Sequence, residues 1–172
     1  MTTRIMTVCT GNICRSPMAE VVLRARLRDA GLDAQVTVDS TGVSGEEQGN
    51  PIDSRARTAL SRRGYAGADV AAHRARRVQA AQLGERDLVL AMTAQHAAAL
   101  RRLAPEHADR VHMFRSFDPA AGTPRRDSDL DVADPWYGGH EDFETCLDEV
   151  EAAVEGIVSE LRTRLTAPAG PA

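Results

Sequence analysis

A thiol, a guanidinium and a hydroxyl fall within eight residues near the start of the chain, Cys9-Thr10-Gly11-Asn12-Ile13-Cys14-Arg15-Ser16, in the pattern C-x5-R-S. Each residue type has a physical job if this stretch is a tight loop entering a helix. Such a loop aims several backbone N–H groups at one point and makes an anion site. Arg15 holds two oxygens of a phosphate at once, a geometry that lysine lacks. Gly11 permits an unusual backbone angle, and Asn12 tolerates the left-handed region better than most residues. The amides, the helix dipole and the guanidinium also favour an anionic sulfur on Cys9, to which Ser16 offers a hydroxyl. A thiolate beneath a phosphate cradle attacks phosphorus in line, with donors already aimed at the phosphoryl oxygens. A nucleotide P-loop is the rival cradle, but it needs Gly-Lys-Ser/Thr, and this loop holds no lysine. The plainer alternative is a buried Cys9 beside an unrelated surface Arg15. Gly11, Asn12 and Ser16-Pro17 in one strand–loop–helix setting argue against it.

Attack by sulfur expels an alkoxide or phenolate, which needs a proton. Four acids, Asp127, Asp129, Asp131 and Asp134, lie in one stretch. Acids in a loop usually make a solvated turn. The segment Asp134-Pro135-Trp136-Tyr137-Gly138-Gly139 differs, because it sets a carboxylate at a rigid turn beside two of the chain's six aromatic residues. A flat ring needs aromatic or apolar walls, and its oxygen needs an acid. Asp134 is therefore the favoured general acid, and afterwards the base for the water that hydrolyses a phosphocysteine.

Positioning these groups falls to an alternation of strands and helices. Arg4–Cys9 reads as a short buried strand. Ser16-Pro17 reads as N-cap and first residue of a helix with Met18, Val21, Val22 and Ala25 on its apolar face and Gly31 as its stop. Val36–Ser40 is a second strand, Asp53–Arg63 a helix ended by Gly64, and Leu88–Met92 a third strand followed by a helix that Thr93 caps. Val111–His112–Met113 is a weak fourth strand. Phe143, Leu147, Val150, Val154, Ile157, Leu161 and Leu165 recur at steps of three and four and predict a final helix. The alternation predicts a doubly wound α/β sandwich with a parallel sheet, in which ligands bind beyond the carboxyl ends of the strands. The loop from Cys9 to Arg15 lies at such an end. Residues 1–165 are expected to form one domain, and 166–172, rich in Pro, Gly and Ala, a flexible tail.

Composition narrows the function classes. A chain of 172 residues that is 42% apolar builds one domain with a sizeable core. A net charge of -4 gives no global pull toward nucleic acid or anionic membrane, so an anionic substrate needs a local positive site. Three cysteines, Cys9, Cys14 and Cys146, are an odd count without zinc-ligand spacing. Cys146 lies one residue from the apolar stripe of the final helix and reads as structural. No apolar run approaches ~20 residues, and no small-residue cleavage site follows the first strand. The expected location is the cytoplasm, where thiols stay reduced.

VCTGNICRSPMAE, Val8 to Glu20, resembles the signature loop and helix start of the low-molecular-weight protein tyrosine phosphatases. Asp134-Pro135 resembles that family's acid loop. The likeness extends through Asp39-Ser40, Gly49-Asn50-Pro51, Ser116-Phe117-Asp118-Pro119 and Asp142-Phe143-Glu144, and the alanine- and arginine-rich composition resembles an actinobacterial member. The resemblance implies a three-layer sandwich, a four-stranded parallel sheet with helices on both faces, using no metal or cofactor. It implies hydrolysis of phosphotyrosine in protein substrates, and of small aryl phosphates, with inorganic phosphate as product. Cys9 matches the nucleophile, Arg15 the phosphate clamp and Asp134 the acid/base. Thr10, Gly11, Asn12, Ile13, Cys14 and Ser16 match the phosphate-binding loop. Asn12, Ser40 and His73 match a polar network that shapes the loop, and Glu20 and Asp39 the carboxylates flanking that histidine. Cys14 matches a second cysteine that traps oxidised Cys9 as a reversible disulfide; its plainer role is packing. Two positions depart from the pattern. Glu46 stands near where many members carry an aromatic cleft wall, and Thr93 where many carry an acid. Trp136 and Tyr137 keep an aromatic wall on the acid loop.

Three rival functions share these features. A protein-arginine phosphatase on the same scaffold resembles this chain but tends to carry threonine where Ile13 stands. An arsenate reductase on this fold needs relay cysteines in its central segment, and residues 64–112 contain none. A phosphoprotein-binding module without turnover has no use for Cys9, Arg15 and Asp134 together.

Overall fold

The computed structural model describes residues 2–166. Four strands, β1 (Thr3–Cys9), β2 (Val36–Gly42), β3 (Leu88–Ala91) and β4 (Val111–Met113), form one sheet in the order β2-β1-β3-β4. All three pairings are parallel. The helices are α1 (Arg15–Asp29), α2 (Ser54–Arg62), α3 (Ala68–Ala72), α4 (Ala80–Gly84), α5 (Ala94–Leu103) and α6 (His140–Thr166). Short 3-10 turns fill the stretch between β4 and α6.

The period of two along the strands divides the core into two layers. Ile5 and Cys9 of β1 and Leu90 of β3 face a cluster built from α1, α2 and α6. Met6 and Val8, with Val89 and Ala91, face the opposite cluster of Leu83, Ala97, Leu100 and Val111. Helices therefore cover both faces, and the three-layer sandwich expected from the sequence is the observed fold. In α6 the predicted stripe from Phe143 to Leu161 is buried throughout. Among the described residues, no helix is long and apolar enough to cross a membrane.

Several boundaries move. α1 starts at Arg15 with Cys14 as its N-cap residue, so Ser16 and Pro17 sit inside the first turn. The hydroxyl of Ser16 is thereby freed from capping. β2 runs two residues beyond Ser40, carried by pairing of Thr41 and Gly42 with the end of β1. Asp53 caps α2, accepting from the Arg55 amide, and Thr93 caps α5, accepting from the His96 amide. α6 extends through Thr166, one residue into the expected tail; residues 167–172 of that tail lie outside the described residues.

Candidate active site

The loop leaving β1 is shaped by where its carbonyls go. The Cys9 and Thr10 carbonyls accept from the amides of Val43 and Ser44, and the Ile13 carbonyl from the amide of Asp53. His73 Nε2 donates to the Asn12 carbonyl at 2.8 Å. A planar trans peptide points its N–H opposite its C=O. The N–H groups of Thr10, Gly11, Ile13 and Cys14 are thereby turned away from these partners. Among the described residues, the amides of residues 10–14 donate to no protein group. An arc of unpaired N–H donors at the start of α1 is an anion cradle.

The left-handed turn sits at Asn12, with φ 60°, and not at Gly11. Gly11 has a different reason to lack a side chain: a Cβ there would lie 3.0 Å from Glu47 Cγ. A tighter constraint falls on Gly42, where a Cβ would stand 2.4 Å from the Thr10 carbonyl oxygen. Gly42 is the register partner of Cys9, and only a bare backbone lets β2 pass this close to the loop.

Side chains lock that shape. Buried Asn12 donates through Nδ2 to Ser16 Oγ at 2.9 Å and to Ser40 Oγ at 2.8 Å, and its Oδ1 accepts from the Arg76 amide at 3.0 Å. Ser40 donates in turn to Glu20. Burial pushes the His73 imidazole toward its neutral form, against the opposing pull of the Asn12 carbonyl and the Glu20 charge. Glu20 thus joins the network through Ser40 and acts on His73 through its charge. The Asp39 carboxylate is held by the guanidinium groups of Arg76 and Arg86. Arg76 connects it to the network, since its backbone amide donates to Asn12 and its Nε to the Ser40 carbonyl.

Cys9 is 3% exposed, and its Sγ lies 3.1 Å from Ser16 Oγ. Ser16 Oγ also donates to the Thr41 carbonyl at 3.1 Å. Arg15 Nη2 meets Asp134 Oδ2 at 2.8 Å, and Nη1 donates to the Val132 carbonyl at 3.2 Å. Of the four candidate acids, only Asp134 lines the cavity over the loop. Asp131 accepts from the first amide of α5, Asp127 pairs with Arg101, and Asp129 with Arg126.

That cavity is about 270 Å³ in volume. Cys9, Thr10, Gly11, Ile13, Cys14 and Arg15 form its floor, Trp136 and Tyr137 one wall, and Glu46 and Glu47 the other. Trp136 is 39% exposed and Tyr137 91%, so Tyr137 stands at the rim. All three cysteines are free and buried. Burial, with the charges of Asp53 and Cys9 adding to it, pushes the Cys14 thiol far up and keeps it protonated. Burial likewise raises the Cys146 thiol to about 12, in keeping with a packing role.

Gly42 and Arg76 escaped the sequence reading, and so did His96 and Arg55. His96, 4% exposed on α5, brings Nε2 within 2.9 Å of Thr10 Oγ1, which also accepts from Arg15 Nη2 at 3.3 Å. Its buried Nδ1 has no partner among the described residues. Burial, reinforced by the Arg15 charge, lowers its imidazole to about 4. Arg55 links α2 to the acid loop through the carbonyls of Trp136 and Gly138. Neither carries a local sequence signal, since both act across long chain separations.

The fold and its loop define a parallel α/β sandwich with an amide-lined cradle at the carboxyl end of β1, one of the two inner strands. The sequence model described as low molecular weight phosphotyrosine protein phosphatase matches residues 4–167. A low molecular weight protein-tyrosine-phosphatase of the actinobacterium Streptomyces coelicolor is 48% identical over 167 residues, covering 96% of this chain and 97% of its own. A protein tyrosine phosphatase structure from Entamoeba histolytica is similar with a TM-score of 0.85 at 27% identity, over 95% of this chain and 99% of that one. Wzb of Vibrio vulnificus, solved with benzylphosphonate, is similar with a TM-score of 0.76 at 27% identity, over 93% and 99% of the two chains. The chain belongs to the low molecular weight phosphotyrosine protein phosphatase family, a family of hydrolases, with actinobacterial affinity.

Proposed function

We propose that the protein hydrolyses phosphotyrosine in proteins, and small aryl phosphates, through a phosphocysteine intermediate. The observation that carries this reading is the loop of unpaired amides that follows Cys9, with Cys9, Arg15 and Asp134 lining one cavity. Sulfur attacks phosphorus, the S–P bond forms as the P–O bond to the ring breaks, and Asp134 gives its proton to the leaving phenolate. Asp134 then takes a proton from water as that water displaces Cys9 and releases inorganic phosphate. The amides and the Arg15 fork hold the equatorial oxygens in both steps. Trp136 supplies a flat apolar surface for a phenyl ring, and buried Ile13 offers only apolar contact at the floor. The benzylphosphonate bound by the Vibrio vulnificus protein, an aromatic ring bearing a phosphonate, supports the same substrate class.

The test is turnover of an aryl phosphate without added metal, lost in Cys9→Ser. Side-by-side rates on phosphotyrosine and phosphoarginine peptides decide the ring preference; a faster phosphoarginine rate refutes it. The same reading gives Cys14 a redox use in a reducing cytosol. Peroxide converts the Cys9 thiolate to a sulfenic acid; Cys14 gives its proton to the departing hydroxyl as its sulfur attacks, so water leaves and a disulfide forms that added thiol reduces. Activity lost to peroxide is then recovered by dithiothreitol in the wild type but not in Cys14→Ser; equal recovery in both rejects the trap.

A further inference from the structure

We propose that Arg55 is a positioning residue for the general acid: its guanidinium ties the acid loop to the phosphate loop and so sets where the Asp134 carboxyl stands. The inference rests on the reading of Asp134 given above. The connection can be followed atom by atom. The Asp53 amide donates to the Ile13 carbonyl in the phosphate loop at 2.9 Å. Arg55 grips the Asp53 carboxylate with Nε and Nη2, each at 3.1 Å. Its remaining nitrogen, Nη1, donates to the Trp136 carbonyl at 3.0 Å and the Gly138 carbonyl at 3.3 Å. The Trp136 amide in turn donates to Asp134 Oδ1 at 3.1 Å.

The guanidinium plane is itself held. Its carbon lies 4.8 Å from the centre of the Phe143 ring and 5.4 Å from that of Trp136. A cation within reach of two rings, with one edge on a carboxylate and the other on two carbonyls, is held in orientation. The acid loop carries only a three-residue 3-10 turn, Pro135–Tyr137, whose one internal closing bond runs from the Gly138 amide to the Pro135 carbonyl. Local structure alone therefore holds it weakly: Arg15 grips it at Asp134 and the Val132 carbonyl, and Arg55 is the side chain that joins the turn after Asp134 to α2. A lysine at this place supplies charge for Asp53 but lacks the planar fork to reach both carbonyls.

The test reads how each variant responds to the leaving group. Phenyl phosphate expels a weakly acidic phenol and depends on the acid; p-nitrophenyl phosphate expels an acidic one and depends on it far less. The ratio of kcat/KM for the two substrates, taken on one preparation, does not change with the folded fraction, so partial unfolding cannot imitate the effect. Displacing a general acid costs on the order of tenfold or more, so Arg55→Ala is expected to lower the phenyl-to-nitrophenyl ratio about tenfold, and Arg55→Lys nearly as much. Asp134→Asn lowers the ratio further, and adding Arg55→Ala to it brings no additional fall. If Asp134→Asn leaves the ratio unchanged, the acid assignment itself is wrong. If Asp134→Asn lowers it while either Arg55 variant keeps the wild-type ratio, or the double variant falls further still, Arg55 does not act through Asp134.

Discussion

Asn12→Ala should be among the most costly single substitutions in the protein, and its cost can be worked from contacts. Alanine deletes three hydrogen bonds, to Ser16, Ser40 and the Arg76 amide. At about 1 kcal/mol net each they sum to about 3 kcal/mol. Ser16 and Ser40 keep their other partners, Thr41 and Glu20, so neither hydroxyl is stranded. The backbone stays at φ 60°, where alanine adds about 1 kcal/mol of strain. The total, about 4 kcal/mol, is a large share of the 5–15 kcal/mol that stabilises a typical domain. Asn12→Gly loses the same bonds without the strain and should be about 1 kcal/mol milder. In urea melts at a slope of about 2 kcal/mol/M, the alanine variant should unfold about 2 M earlier than the wild type, with the slope unchanged. Turnover of an aryl phosphate should fall in both variants, because the amide arc loses its template. An alanine variant within about 1 kcal/mol of the wild type, or more stable than the glycine variant, would refute the reasoning.

Three further outcomes are expected. His96 has its folded pKa depressed to about 4 from 6.5, so its contribution is complete above the unfolded value and is lost as pH falls through that window; between about pH 7 and about pH 4.5 the wild type should lose on the order of 2 kcal/mol more than His96→Asn, and parallel stability curves would sink the assignment. Gly42→Ala drives a methyl into the Thr10 carbonyl and should cost about 1–3 kcal/mol and reduce kcat/KM, checked by melting and initial rates. Trp136→Ala removes the ring wall and should raise KM for aryl phosphates about tenfold with kcat within about threefold, while inhibition by inorganic phosphate is unchanged.

Much of the fold was legible because its signals are local. Buried parallel strands show as short apolar runs, and α6 as a long stripe of three- and four-residue steps. The loop from Cys9 to Ser16 was legible for the same reason, as one contiguous stretch. What escaped depends on contacts distant in sequence. The start of α1 moved back from Ser16 because Ser16 spends its hydroxyl on Cys9, Asn12 and Thr41. Gly42 looks like any glycine at a strand end until β2 is laid against the loop. Gly11 and Asn12 were both open to an unusual backbone angle, and the left-handed one falls on Asn12. Asp39 is held by two arginines from other segments, and the Thr10 partner of His96 and the Trp136 partner of Arg55 lie more than eighty positions away. The short helices α3 and α4 have only five residues each, too few for periodicity to register.

The hydroxyl of Ser16 has a single hydrogen and three neighbours. Asn12 supplies its own proton, so that contact makes no demand. When the Cys9 sulfur carries hydrogen, it can lend it to Ser16, and the serine spends its own on the Thr41 carbonyl. Once sulfur is stripped of its proton, Ser16 must swing toward it, and Thr41 gives up its donor. A change of charge on that one atom of β1 would thus be relayed to the hydrogen bond at a carbonyl of β2. An isotope-edited infrared band at that carbonyl would serve as a built-in gauge of the sulfur's state, legible without touching the pocket.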